Sequence, residues 1–329
     1  MNHTLPILSA GLAITILAAI VTNHVPQDAA KKQLATNVSV SDPPESAADP
    51  GPPPDGGILV NQAASQLLAL PGIQAKTRQR VDIFGQHLVG SGNYLQWVQG
   101  PQLLLRLDLK LQMGQQVTSL QQISDGQILW IRTDLPHRKS LTRVNLRRLR
   151  DAASKLPTPP PPTYWMALGG MPKLLARLAE DFTFGPAQRK VIGHLPVWKI
   201  DGHWKADVLN RLMADRAAPI QSDDLDALRR LPEPLPHGVS LILGRDRVIP
   251  LFPYSVSYYR FLPRDKDQPK SAPPQRKAIA TLELFEVRLR PDLSPADFDY
   301  RPGSQEVKDQ TNQFIAQLRA ASSPPTTHR

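Results

Sequence analysis

LLLRLDLKLQM, residues 103–113, sets Leu103, Leu105, Leu107, Leu109, Leu111 and Met113 against Leu104, Arg106, Asp108, Lys110 and Gln112. A period of two is that of a strand, whose successive side chains point to opposite faces. One face is apolar and the other mostly polar, so the stretch predicts an antiparallel sheet covered on one side and wet on the other. On its carboxyl side, Gly114-Gln115-Gln116 turns the chain and Val117–Ile123 returns. Asp125-Gly126 is a strong hairpin signal, and Gln127–Arg132 runs out again. On its amino side, Arg80–Leu88 and Asn93–Val98 flank Gly90-Ser91-Gly92, which reads as a hairpin turn.

Helices are predicted over Ile58–Leu70, stopped by Pro71-Gly72, and over Leu141–Leu156, stopped by Pro157 and Pro159–Pro162. Gly169-Gly170 opens the next helix, Pro172–Ala179, with Pro172 in its first turn. A second strand set comes at Phe182–Phe184, Lys190–Ile192 and Pro196–Lys205, the last broken at Asp201-Gly202. Asp207–Ala217 and Asp223–Leu231 are helix candidates, and Val239–Leu243, Tyr254–Leu262 and Ala278–Arg290 are strands. The last helix is expected over Ser304–Ala321, capped by Ser304, with a stripe of Val307, Thr311, Phe314, Leu318 and Ala321. No strand–helix–strand rhythm runs through the chain, which argues against a doubly wound parallel sheet. The expected fold is α+β: a strongly curved antiparallel sheet, or incomplete β-barrel, with helices on its concave face.

The uncharged run Leu5–Val21, LPILSAGLAITILAAIV, lies between the length of a secretory core and that of a membrane span. Residues 1–23 are therefore expected to be an anchor or a signal segment. No Lys or Arg precedes the run, and no small-x-small cleavage site lies closely after it. Residues 24–57 are rich in Pro, Ala, Ser and Asp and read as a disordered, semi-extended spacer. Residues 58–303 form the half-barrel body, and 304–329 the last helix and tail. Lys31 and Lys32 argue weakly against export of the body. The 329 residues carry a net charge of +10, although the first 57 are net acidic, so the basic excess belongs to the body. There are 34 prolines and no cysteine. The missing thiols exclude disulfides, iron–sulfur clusters and a cysteine nucleophile.

Several stretches together resemble the bacterial outer-membrane lipoprotein-carrier (LolA/LolB-like) superfamily. They are NYLQ at 93–96, RLDLKLQMGQQVTSLQQISDGQILW at 106–130, TRVNLRRL at 142–149, GGMPKLLARLAEDFTF at 169–184, GHLPVWKIDGHWK at 193–205 and FDYRPG at 298–303. The resemblance covers roughly 58–303. It implies an incomplete antiparallel barrel closed by helices around a hydrophobic cavity, an exported location on the periplasmic side of the cytoplasmic membrane, and binding of acyl chains. The chain departs from the pattern in its extra helices around 206–235, its proline loop at 157–163 and the absence of a lipobox cysteine.

No catalytic constellation is legible, and the chain is not expected to be an enzyme or to need a cofactor. His194 and His203 lack metal-ligand spacing, and Asp223, Asp224 and Asp226 lack that of a calcium loop. Ser91 lacks the full nucleophile-turn pattern, and no phosphate-loop lysine comes after Gly169-Gly170. If the fold is right, Leu105, Leu107, Leu109, Leu111, Met113, Ile128, Trp130 and Met166 line the concave face and hold a lipid or lipidated peptide. The same residues could instead fill a closed core, which would make the chain a ligand-free envelope scaffold. Arg143, Arg147, Arg148 and Arg150, with Arg138 and Lys139, form the one notable basic cluster. Its candidate role is contact with an anionic surface, against that of a solvated helix face. Nucleic acid is a poor partner, because the aromatic interleaving it needs is absent.

Overall fold

The computed structural model describes residues 51–100, 102–113, 116–135, 137–156, 165–213, 224–233, 235–263 and 273–322. The expected anchor at 1–23 and all but the end of the spacer lie outside them. Among the described residues, no helix is long and apolar enough to cross a membrane.

Helix α1 (Gly56–Ala69) is capped by Asp55, whose carboxylate accepts from the Ile58 N–H. Six strands come next as a meander: β1 (Gly72–Ile83), β2 (Gln86–Gln99), β3 (Gln102–Met113), β4 (Gln116–Ser124), β5 (Ile128–Leu135) and β6 (Arg138–Asn145). After them run helices α2 (Leu146–Ala153) and α3 (Trp165–Asp181), then β7 (Phe182–Phe184), β8 (Gln188–Ile192) and β9 (Leu195–Trp204). After α4 (Ala206–Leu212) and α5 (Leu225–Arg229) come β10 (Gly238–Gly244), β11 (Pro253–Phe261) and β12 (Arg276–Leu289). A short 3-10 helix (Pro295–Phe298), β13 (Val307–Asp309) and α6 (Thr311–Ser322) complete the described chain.

All thirteen strands join one open sheet in the order β13-β6-β5-β4-β3-β2-β1-β12-β11-β10-β9-β7, with β8 also on β9. Every pairing is antiparallel except that of β13 with β6. The sheet does not close into a barrel, in keeping with the curved antiparallel fold expected.

Four sequence expectations give way. The first hairpin turns at Phe84-Gly85, both with positive φ, and not at Gly90-Ser91-Gly92, which β2 runs straight through. Leu141–Asn145 belongs to β6, because these residues pair with β5 across the sheet; only from Leu146 does the chain become helical. β9 is continuous through Asp201-Gly202, held by β10 on one side and β7 on the other. Val307 begins no helix. It pairs with Leu141 as a parallel edge strand, and α6 starts only at Thr311.

Cross-strand partners share a face, so the register divides the sheet into two surfaces. Leu105, Leu107, Leu109 and Leu111 join the main core with Val60, Ala63, Ala64 and Leu67 of α1 and Leu174, Leu175 and Leu178 of α3. Arg106, Asp108 and Lys110 face the other way, with Arg106 ion-paired to Asp108 at 2.8 Å. The outer surface is not wholly wet. Leu104, Ile123, Leu293 and Phe298 bury one another under the 3-10 helix, and the Phe298 ring stacks on Trp97 at 6.3 Å.

Candidate functional site

The inner leucine row is roofed by α1 and α3, and two polar side chains of β2 tie that roof down. Gln96 donates to the Leu67 carbonyl near the end of α1 (3.0 Å). Tyr94 donates to Gln96 (2.8 Å), and the Tyr94 hydroxyl accepts from the Met171 N–H of α3 (3.4 Å). Burial pushes the Tyr94 phenol up, so it stays neutral and hydrogen-bonded.

Helix α3 is broken at Gly169-Gly170; the sequence places a helix from Pro172, in the first turn after the break, but reads the residues before the glycines as loop, where the chain is already helical from Trp165. Gly170 has φ +59° and ψ −154°. A Cβ there would meet Leu105 at 2.8 Å and the Tyr94 hydroxyl at 3.0 Å. The backbone break thus lies directly on the inner row. Beneath it is a hollow of about 10 Å³ lined by Tyr94, Leu105, Leu107, Gln122, Ser124 and Leu129. A second hollow of the same size lies between Leu174 of α3 and Gln79, Val256, Tyr258, Ala280, Thr281 and Leu282 of the sheet. Each is about as large as one water.

The eight expected lining residues divide. Leu105, Leu107, Leu109 and Leu111 come together on the inner face and are buried. Met113 ends β3, and Met166 lies in the first turns of α3; their side chains fall outside the described residues. Ile128 and Trp130 sit on the opposite face. Trp130 is paired with Ile123 and packs its ring on Tyr300 at 5.4 Å. The residues of β5 that turn inward are Leu129, opposite Ser124, and Ile131, opposite Gln122. The run ILWI is apolar in both phases, so only pairing with β4 sets which two face the core.

Three of the four arginines of the expected anionic contact make bonds within the chain. Arg143 lies on β6, not on a helix, and pairs with Asp309 at the end of β13 at 3.1 Å. Arg148 donates to Asn312 at the start of α6 (2.8 Å), and Arg150 to the Gly126 carbonyl (3.1 Å). Arg147 is exposed. The cluster therefore docks the carboxyl-terminal segment and one sheet turn, a role that helical spacing does not reveal.

Sequence reading missed a set of polar atoms in the core. Thr77 Oγ1, Gln79 Oε1 and the Tyr258 hydroxyl are buried and make no hydrogen bond among the described residues. The phenol of Tyr258 is pushed up first by burial and then by the charge of Asp181. Asp181 is itself raised by burial, against the pull of Arg177, which holds it at 2.7 Å. Gln79 and Tyr258 meet at a hollow the size of a water, which has no room for a substrate. Among the described residues no group of three or more His, Asp or Glu is placed to hold a metal ion.

His237 is a further buried group. Its Nδ1 accepts from the Phe261 N–H at 2.8 Å, and its pKa is lowered to about 4, by burial first and then by Arg260 and Arg229. An unfolded histidine takes up its proton near pH 6.5. Below that pH the unfolded chain binds more protons than the folded one, so stability is full above about 6.5 and falls as pH drops toward 4. The expected loss across that window is on the order of 2–3 kcal/mol. Urea midpoints at pH 7, 5.5 and 4 check it. The same series on His237→Gln should show a shallower slope, and an equal slope would remove His237 as the cause.

No family model matches the chain, and no curated protein matches it in sequence. Several solved structures are similar. LprF from Mycobacterium bovis is 11% identical, with 70% of this chain and 91% of that one covered, at a TM-score of 0.35. The lipoprotein LppX from Mycobacterium tuberculosis is 13% identical, with 69% and 91% covered, at 0.33. A putative outer membrane lipoprotein-sorting protein domain from Vibrio parahaemolyticus is 8% identical, with 74% and 96% covered, at 0.28. At such TM-scores these likenesses add no weight to the geometry.

Proposed function

We propose that the chain is a non-enzymatic domain of the cell envelope, tethered on the exported side of the cytoplasmic membrane by residues 1–23. It holds the acyl part of a lipid or lipidated peptide against the inner face of the sheet. The observation that carries this reading is the placement of the α3 break directly over the buried row Leu105–Leu111. Glycine at 169 and 170 leaves the backbone free to change its angle there. Swinging the first turns of α3 outward would open the hollow under Gly170 into an apolar trough. Each methylene then buried contributes about 0.8 kcal/mol.

Detergent-free protein, analysed by native mass spectrometry and by organic extraction, is expected to carry acyl lipid. Leu105→Trp, which fills the hollow under the break, should reduce that lipid at least tenfold with the fold retained by circular dichroism. Wild-type protein free of lipid after purification from membranes would overturn the proposal. A second reading, a filled scaffold with no ligand, is favoured by the size of the hollows, since about 10 Å³ holds no acyl chain. It predicts lipid-free protein.

A further inference from the structure

A basic, aliphatic tip stands clear of the body at one end of the sheet. All five residues of β8 are exposed, so the β8–β9 hairpin projects with both faces of β8 in solvent. Val191 and Ile192, next to its turn, are 42% and 50% exposed. The Arg245 N–H donates to the Pro196 carbonyl at 3.0 Å, which fastens the turn after β10 to the hairpin. That turn presents Val248, 72% exposed. Arg189 and Lys190 precede Val191 and Ile192 along β8, and Arg245 and Arg247 precede Val248 in the turn, with Asp246 as the one acid between them. One oxygen of Asp246 is already taken by the Val248 and Ile249 N–H groups. Trp198 lies between two of the cations, its ring 4.6 Å from the Arg245 guanidinium and 5.4 Å from that of Arg189.

The path of the chain adds an independent observation. Pro54 accepts from the Ala187 N–H at 2.9 Å, and Asp55 bridges to Pro186. The segment that carries the apolar run Leu5–Val21 and its spacer therefore joins the body immediately beside β8.

We propose that this tip docks on an anionic bilayer, the same membrane that takes up the amino-terminal run. Short exposed aliphatics with cations beside them in the chain match a surface with negative headgroups above hydrocarbon, and Trp198, packed against the core, holds Arg189 and Arg245 over its ring. This docking goes beyond ligand binding and does not depend on it.

The chain has no cysteine, so Ile192→Cys in the full-length protein gives one labelling site for an environment-sensitive fluorophore. Ser304→Cys, exposed near the opposite edge of the sheet, is the reference. Docking rests on tethering by the amino-terminal run; flotation with the vesicles, measured for every variant, tests that tethering separately, and among variants that float the readout is the local environment of the dye. With phosphatidylglycerol vesicles the dye at 192 should shift to the blue and the dye at 304 should not, while phosphatidylcholine vesicles should move neither. Arg247→Glu with Val248→Asp should cut the response at 192 at least tenfold. No shift at 192, an equal shift with both lipids, or a response unmoved by the double variant would overturn docking. So would a shift that tracks protein concentration without vesicles, which would mark the β8 edge as a contact between copies.

Discussion

Gly92→Ala is expected to abolish cooperative folding, or to lower stability by at least about 3 kcal/mol. A Cβ on Gly92 would sit 1.8 Å from the Asp108 carbonyl oxygen, 2.8 Å from its carbon and 3.0 Å from Leu109 Cα. All three atoms belong to the backbone of β3, so no side chain can move aside. The added methyl can be accommodated only by parting β2 from β3 where Gly92 pairs with Leu109. Glycine inside a strand marks such a close approach. Gly90 serves the same pairing, since its Cβ would meet the Leu111 side chain at 2.6 Å. Urea unfolding monitored by circular dichroism checks the expectation, with Gly51→Ala as a control in open space. A Gly92→Ala midpoint equal to that of the wild type would show that β2 and β3 do not approach as described.

Phe298→Ala should cost about 3–5 kcal/mol, the range for deleting a large buried aromatic ring. Phe298 is fully buried on the outer face, among Leu104, Ile123 and Leu293. Its position depends on the 3-10 helix, where the Ser294 N–H and hydroxyl both donate to Asp297, at 2.8 and 3.0 Å. Removing the ring uncovers Trp97 and Leu104 without touching the inner leucine row. The expected result is a lower urea midpoint with unchanged lipid occupancy. A loss of lipid as large as the loss of stability would show that the two faces are coupled through β3.

Much of this was readable in advance where one local pattern had one meaning. The strict alternation of Arg106, Asp108 and Lys110 with leucines left a single way to face β3, and β3 adopts it. Asp125 could be assigned to a turn because its carboxylate can accept from nearby backbone N–H groups, as it does from Gln127 and Ile128. Gly169-Gly170 and Pro172 marked the start of the second part of α3 for an equally local reason, since proline suits the first turn of a helix, whereas the helical turns from Trp165 were not legible. By contrast, Leu141–Asn145 continues smoothly into a good helix, and nothing local separates strand from helix there. Its pairing with β5 and β13 decides the matter.

Residues 103–113 establish on their own a strand and the apolar face it carries, and the order of elements around them establishes an antiparallel architecture with helices packed on one side. Three other features came from the folded chain alone: Leu129 and not Trp130 turns inward, Gly92 brings two strands together and is not part of a turn, and the arginines of 143–150 serve the carboxyl-terminal segment. The physical reason is range. Alternation and turn chemistry act over a few neighbouring residues, whereas register and close backbone approach depend on a partner strand or helix that the local pattern does not contain.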